Sequence, residues 1–132
     1  MAGWVGDVNK SAEGNPYFRR VVYTGENMQL VVMTLPPGAD IGLEVHEHVE
    51  QFIRVESGRA TVTLGPTEHE VTEAHDVAAG WAVVVPPGTW HNVVNEGALD
   101  LCLSTIYGPP EHPDGTVHRT KADAAAAEAQ HT

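Results

Sequence analysis

The stretch that decides the fold is Gly80-Trp-Ala-Val-Val-Val-Pro86-Pro-Gly88-Thr-Trp-His91-Asn-Val-Val-Asn95, in the second half of the chain. It begins with a short run rich in valine, which favours a β-strand. The Pro-Pro-Gly sequence that follows has the chemistry of a tight turn. A second valine-containing run then starts at His91. We therefore expect two strands joined by a turn, with a histidine pointing inward at the start of the second strand.

Short strand-like runs separated by glycine and proline continue on both sides of this stretch. They recur at intervals of roughly 8 to 12 residues, which is typical of an all-β sandwich or barrel. The residues Ser57-Gly58 lie between two alternating runs and predict a tight hairpin. The candidate strands are Arg20–Thr24, Met28–Leu35, Gly42–His46, Gln51–Ser57, Arg59–Leu64, His69–Thr72, Ala82–Val85, His91–Asn95 and Leu99–Tyr107.

Gln51 is an unusual residue for its position in one of these strands. Side chains alternate between the two faces of a strand, so Gln51 shares a face with Ile53 and Val55. A polar side chain on an aliphatic face is hard to explain by packing alone. We infer that this face lines a cavity and that Gln51 binds something inside it.

The second-half stretch fits the pattern G-x5-P-x-G-x2-H-x3-N at every position. This pattern is the second motif of the cupin superfamily, and the sequence resembles that superfamily. The first cupin motif, G-x5-H-x-H-x3,4-E-x6-G, is matched less closely. Counting back from Gly58 gives Gly38-x5-Glu44-x-His46-x4-Gln51-x6-Gly58, which satisfies every spacing. In this register Glu44 replaces the first histidine of the motif and Gln51 replaces its glutamate.

The resemblance implies a metal site, for which two ligand sets remain open. The register above gives Glu44, His46, Gln51 and His91. Anchoring the motif on His46-Glu-His48 replaces Glu44 by His48, but Gln51 then follows too soon. We favour the first set, although positions 44, 46 and 48 share one strand face, so spacing alone does not separate them. Either set offers nitrogen and oxygen donors without a thiolate, which suits one divalent transition metal (Fe, Mn, Ni, Cu or Zn).

The similarity covers roughly residues 20 to 123 and extends to small bacterial cupins often labelled sugar-phosphate (mannose-6-phosphate) isomerase-like. It implies an all-β fold, the cupin double-stranded β-helix or jelly-roll barrel. We expect an irregular N-terminal arm at residues 1–19, the barrel at 20–107, and a C-terminal strap with a short helix or frayed tail at 108–132. Thr120 followed by Asp123 resembles a capping box, which predicts the short helix.

The strap carries several side chains capable of chemistry: Glu111, His112, Asp114 and His118. If the strap folds over the mouth of the barrel, these residues reach the substrate, and Tyr107, His112 and His118 are candidate substrate-binding residues. Alternatively, the strap packs on the outside of the barrel or on a second subunit. The sequence does not identify a catalytic base.

The composition excludes several kinds of partner. Seven Lys+Arg against 18 Asp+Glu give a net charge of −11, which disfavours nucleic acids and anionic membranes. The chain has no apolar run of 18 residues and no secretory signal, and its single cysteine cannot form an intramolecular disulfide. We expect a cytoplasmic protein that acts on a small molecule. The apolar faces of Met28–Leu35 and Leu99–Tyr107 suggest a homodimer.

Three functions are compatible with these features. The favoured one is an enzyme whose metal acts as a Lewis acid in isomerisation or elimination on a small sugar-like or keto/hydroxy-acid substrate. The second is an Fe(II)-dependent dioxygenase. The third is a non-catalytic ligand-binding cupin. The sequence shows no Lys/Arg cluster that could bind a phosphate group, so we do not expect a phosphorylated substrate.

Overall fold

The computed structural model describes residues 2–130, which form two antiparallel sheets and two helices. One sheet has the strand order β6-β3-β8-β2-β1-β9, and the other has the order β5-β4-β7. Met1 and residues 131–132, at the ends of the predicted arm and strap, lie outside the described residues. The elements are α1 (Val8–Glu13), β1 (Arg19–Thr24), β2 (Gln29–Leu35), β3 (Glu50–Ser57), β4 (Arg59–Gly65), β5 (Glu73–Ala78), β6 (Ala82–Val85), β7 (Trp90–Asn95), β8 (Leu101–Gly108), β9 (Val117–His118) and α2 (Lys121–Gln130).

The inner faces of the two sheets share one hydrophobic core. Val31 and Leu103 from the six-stranded sheet belong to the same cluster as Val62 and Val93 from the three-stranded sheet. These four side chains are at most 1% exposed. Alternation along each strand supplies the core, because every second residue points inward. The predicted all-β barrel with a short C-terminal helix is confirmed.

The predicted hairpin at Ser57-Gly58 is wrong. β3 pairs with β6 and β8, whereas β4 pairs with β5 and β7, so this turn carries the chain from one sheet to the other. Gly58 has a φ of +97°, and a Cβ there would lie 3.1 Å from the Cα of Leu101. Glycine is therefore required by the backbone conformation and by the close approach of β8.

Two of the predicted strands differ in the structure. Residues 42–46 form no strand and make one isolated bridge, between Glu44 and His91. The strand predicted at His69–Thr72 lies instead at Glu73–Ala78, where Val77 is the one buried residue. A strand with a single buried side chain has no alternating pattern, so only its pairing with β4 reveals it.

The N-terminal arm is not wholly irregular, because it contains α1. The Asp7 side chain caps this helix by accepting a hydrogen bond from the Lys10 amide at 3.0 Å. Ala12 packs against Val32 and Cys102 on the outer face of the six-stranded sheet. A helix of six residues has little stability of its own, so this packing is what holds it.

The C-terminal segment returns to the barrel. β9 pairs with β1, which places His118 opposite Arg19. The Thr120 hydroxyl accepts a hydrogen bond from the Asp123 amide at 3.1 Å, as expected for the N-cap of α2. Ala124 on α2 is 5% exposed and belongs to the main core, so the helix is docked. Neither helix within residues 2–130 is long and apolar enough to cross a membrane.

Candidate metal centre

The backbone brings Glu44 and His91 together. The Glu44 amide donates to the His91 carbonyl at 3.0 Å, and the His91 amide donates to the Glu44 carbonyl at 2.9 Å. His46 is tied to the same region because its carbonyl accepts a hydrogen bond from the Gly88 amide at 2.9 Å. Gly88 has a φ of +79°, which the Pro-Pro-Gly turn before His91 requires. The two cupin motifs therefore meet at this point.

Three potential ligand atoms converge in this region. One ligand atom from each of Glu44, His46 and His91 lies within 4.8 Å of the other two. The Glu44 Oε1 atom is 3.4 Å from His46 Nε2 and 3.5 Å from His91 Nε2. A carboxylate and two imidazoles at these separations match the donor types that bind divalent transition metals.

Each of the two imidazoles directs its Nε2 atom towards the cluster. His91 Nδ1 lies 3.0 Å from the carbonyl of Thr89, which can only accept, so Nδ1 carries the proton. His46 Nδ1 lies 3.4 Å from Glu111 Oε1, on the side of the ring away from Glu44. The Nε2 atoms of both rings are buried and have no hydrogen-bond partner within residues 2–130. An orphaned nitrogen in each ring fits a metal ligand whose other nitrogen is oriented by an acceptor.

Gln51 offers a further oxygen donor in the same interior. Its side chain lies on the inner face of β3 and is 2% exposed. Its Nε2 atom donates to Thr105 Oγ1 at 3.0 Å, whereas its Oε1 atom is buried without a partner. An unpaired buried oxygen is costly unless something else binds it. His48, the alternative ligand, is exposed and lies outside the group of three.

The pKa values of Glu44 and His46 are set by burial and by the charged or ionisable side chains around them. Burial acts to raise the pKa of Glu44, but the imidazoles of His46 and His91 outweigh it and lower that pKa to about 2. Burial acts to lower the pKa of His46, but Glu111 and Glu44 outweigh it and raise that pKa to about 9. Without a metal, His46 therefore holds a proton between two carboxylates. A bound cation would take the place of that proton.

A cavity of about 780 Å³ opens beside this cluster. Glu44 and His46 line one part of it, and Glu111, His112 and His118 of the strap line another. Residues of the strap therefore line the same cavity as two of the proposed metal ligands. Asp114 is exposed and does not line the cavity.

Tyr107 lies behind the cavity and does not line it. Its side chain is 1% exposed, and its ring meets the rings of His46 and His112 edge-on at 5.8 and 5.2 Å. Burial raises the pKa of Tyr107, so the phenol stays neutral. Tyr107 therefore supports the two imidazoles as a neutral, packed ring.

Gln29 is a structural residue that the sequence analysis missed. It is fully buried, and its Oε1 atom accepts from the amides of Glu111 and His112 at 3.2 and 3.0 Å. Its Nε2 atom donates to the His112 carbonyl at 2.8 Å. These bonds hold the strap against the barrel. Gln29 shares a strand face with Val31 and Met33, the same signal that singled out Gln51.

Arg19, the last residue of the predicted arm, is also placed differently from the prediction. It is the first residue of β1, is 3% exposed, and bonds His118 Nδ1 through Nη1 at 3.1 Å. An arginine at an inward-facing strand position is the sequence signal that could have identified it.

The chain is similar to several known proteins and to one solved structure along most of its length. The YrkC protein of Bacillus subtilis (strain 168) is 47% identical over 125 residues, which cover 95% of this chain and 67% of YrkC. The L612 protein of Acanthamoeba polyphaga mimivirus is 41% identical over 118 residues, covering 86% of this chain and 70% of L612. The crystal structure of BH2720 from Bacillus halodurans has a TM-score of 0.92 at 44% identity and covers 93% of both chains. The family model described as "Cupin domain" matches residues 31–107, which is more than half of the sequence. The chain therefore belongs to the cupin family.

Proposed function

We propose that Glu44, His46, Gln51 and His91 hold one divalent transition metal in an enzyme that isomerises a small, oxygen-rich substrate or eliminates a group from it. One observation carries this proposal: the Nε2 atoms of His46 and His91 are buried, have no hydrogen-bond partner among the described residues, and converge on Glu44 within 4.8 Å. Orphaned ligand atoms are costly in a metal-free interior. When bound, the metal would supply Lewis acidity to a substrate oxygen.

The cavity supports a small-molecule substrate. Its volume of about 780 Å³ falls within the usual range for small-molecule sites. Its lining combines apolar surface with three carboxylates and three imidazoles, from Glu44, Glu111, Glu128, His46, His112 and His118. The polar groups suit a substrate that carries several oxygen atoms.

Glu111 is the residue we assign to proton transfer. It lines the cavity, and its side chain is 31% exposed, whereas Glu44 faces the imidazoles of the metal site. The hydrogen bond to His46 lowers the pKa of Glu111, so the group is an ionised carboxylate at neutral pH and can accept a proton. A carboxylate that binds a metal is a weaker base, which leaves Glu111 rather than Glu44 for this role.

We also propose that the protein is a cytoplasmic homodimer. The outer face of the six-stranded sheet carries Met28, Phe52 and Val84, which are 56%, 38% and 59% exposed. Exposed apolar residues on one face support association with a second copy.

The metal site is tested by elemental mass spectrometry of purified protein. We expect about one metal per chain in the wild type and in His48→Ala, because His48 is exposed and outside the cluster. We expect His91→Ala and Glu44→Ala to lose it, since each removes one of three converging ligands. Circular dichroism establishes that each variant is folded. A folded wild type that stays metal-free after reconstitution, or equal loss in His48→Ala, contradicts the proposal.

Reaction class is tested separately, on wild type loaded with Fe(II). Isomerisation and elimination consume no oxygen, so the oxygen concentration should stay constant while hydroxy acids, keto acids and sugars are supplied. Stoichiometric oxygen uptake with any of them would replace this proposal with a dioxygenase.

A further inference from the structure

Arg19 is a buried cation that pairs with no carboxylate in the part of the chain that the structure describes. Its side chain is 3% exposed, and its Nε atom is buried with no hydrogen-bond partner among those residues. None of the ion pairs formed within residues 2–130 includes it. The chain has 18 acidic residues, so a carboxylate could readily have been provided. A buried, uncompensated charge is strongly destabilising, which suggests that its anion comes from outside.

The neighbours of Arg19 do not neutralise it. Nη1 is 3.1 Å from His118 Nδ1, and the guanidinium carbon lies 5.2 Å from the centre of the Phe18 ring. Burial and then Arg19 itself lower the pKa of His112 to about 4, and the same two causes lower the pKa of His118. Both imidazoles are therefore neutral at pH 7, and Arg19 leaves one positive charge in this group.

His112 and His118 line the cavity beside the metal centre, together with Glu44 and His46. Arg19 does not line that cavity; it lines a smaller neighbouring one of about 180 Å³. Because guanidinium nitrogens only donate, His118 Nδ1 accepts from Arg19, and its Nε2 carries a proton that it can give to a ligand. His112 Nε2 is buried and has no hydrogen-bond partner in the described ranges of the chain. A ligand in the cavity can thus meet the imidazoles next to Arg19 and the proposed metal ligands together.

We propose that His112 and His118, with the positive charge of Arg19 next to them, form an oxyanion subsite that binds the carboxylate of the substrate, which makes the substrate a small sugar acid or hydroxy or keto acid. The charge favours a carboxylate over a phosphate. One guanidinium offsets one negative charge, whereas the second charge of a phosphate dianion would face the carboxylates of Glu44, Glu111 and Glu128 in the same cavity. This inference rests on the proposed function for the reaction that the bound acid undergoes. Binding of the acid at the subsite depends only on Arg19 and its neighbours.

The test compares matched pairs of ligands by isothermal titration calorimetry. Galacturonate and galactose differ by a carboxylate, glycolate and glycolamide form a second pair, and inorganic phosphate is the third arm. Metal-loaded wild type should prefer each acid to its neutral partner and to phosphate. Arg19→Met, which keeps the length of the side chain without the charge, should bind the acids about 10- to 100-fold more weakly. The neutral ligands should be unaffected.

Arg20→Met is the matched control. Arg20 is the next residue of β1, is half-buried, and contacts the Ser11 carbonyl rather than the cavity. We expect its affinity for the acids to stay within about twofold of the wild type. Equal binding of the acids by Arg19→Met and wild type overturns the inference, and so does tighter binding of phosphate than of either acid.

Two further measurements distinguish failure of the oxyanion subsite from failure of the proposed metal site and from unfolding of the variant. If elemental analysis shows that the wild type holds no metal, the titrations are repeated on the metal-free protein. Acid binding that depends on Arg19 still supports the subsite there, and acid binding that does not depend on Arg19 overturns it. Thermal unfolding establishes that Arg19→Met is folded, and we expect it to be at least as stable as the wild type because a buried unpaired charge is gone. If it is unfolded, Arg19→Lys replaces it, and unchanged affinity there contradicts the role of the guanidinium fork.

Discussion

His46 is the residue on which the state of the candidate metal centre depends. It lies between Glu44 and Glu111, with its two ring nitrogens each 3.4 Å from a carboxylate oxygen. These carboxylates overcome the effect of burial and raise the pKa of His46 from its ordinary value of 6.5 to about 9. In the metal-free protein, a protonated imidazole therefore joins the strap to the loop that carries Glu44.

This arrangement predicts the pH dependence of stability without metal. The folded-state pKa of His46 is raised, so its stabilisation is complete below pH 6.5 and is lost as the pH rises through about 9. The difference between the folded-state pKa of about 9 and the ordinary value of 6.5 corresponds to about 3 kcal/mol of unfolding free energy. Thermal unfolding with a chelator present should show the wild type losing stability between pH 7 and 9. His46→Gln should have a flatter profile over this range, because the titrating group is absent.

His75→Gln is the control for this prediction. His75 is exposed and pairs with Glu73 at 2.7 Å on the edge strand β5, so its removal should leave the pH profile unchanged. A wild-type profile that is flat between pH 7 and 9, or one that His46→Gln reproduces, is incompatible with a proton shared in the cluster.

The sequence identified some residues of this region and missed others for a physical reason. Motif spacing selected Glu44 over His48, and the structure brings Glu44 together with His46 and His91 while His48 is exposed. Spacing works here because the turns fix how many residues separate the ligands. No motif contains Arg19. Its inward orientation depends on where β1 starts, and that start is set by pairing with β2 and β9.

At the level of elements, the strap depends on Gln29 of β2. The Gln29 side chain makes two hydrogen bonds through Oε1, to the amides of Glu111 and His112, and two through Nε2, to the His112 carbonyl and Thr24 Oγ1. Three of them join β2 to the strap, and the bond to Thr24 joins β2 to β1. A buried amide that satisfies several backbone groups is a strong local constraint.

We predict that Gln29→Leu releases the strap. The apolar side chain cannot bond the buried backbone groups of Glu111 and His112, which should lower the free energy of unfolding by about 2–3 kcal/mol. Hydrogen exchange of peptides covering residues 109–118 should accelerate, and urea titration should show the lower stability. Thr24→Val removes a single bond of Gln29 and spares the strap, so exchange there should stay slow. Unchanged protection of the strap in Gln29→Leu would show that other contacts hold it.

Elements with an alternating apolar pattern could be predicted from the sequence, and elements formed by tertiary contacts could not. β2 and β3 were located to within one residue because their buried faces are continuous. β9 has two residues and exists only through its pairing with β1. The six-residue α1 is held by Ala12 against the outer face of the sheet. No window of sequence contains the partners of these short elements.

For the whole molecule, the outer face of the six-stranded sheet is the surface that favours association. Val84, Phe52, Ile106 and Leu30 stand opposite one another across β6, β3, β8 and β2. They form an apolar row that crosses the sheet. The helix α1 covers the neighbouring part of this face, around Val32 and Cys102, but the row itself is partly exposed. A second copy could cover it by the same row, as in a two-fold symmetric dimer.

We therefore predict that Phe52→Glu converts a dimer into a monomer. Phe52 lies within the row and is 38% exposed, so a charge there would face the same charge on the partner copy across an apolar contact. Light scattering coupled to size exclusion should give twice the 14.2 kDa chain mass for the wild type and the chain mass for the variant. Leu99→Glu is the matched control, because Leu99 is 79% exposed but lies outside the row, before β8. A monomeric wild type, or a Leu99→Glu variant that dissociates equally, would assign the apolar row a role other than dimerisation.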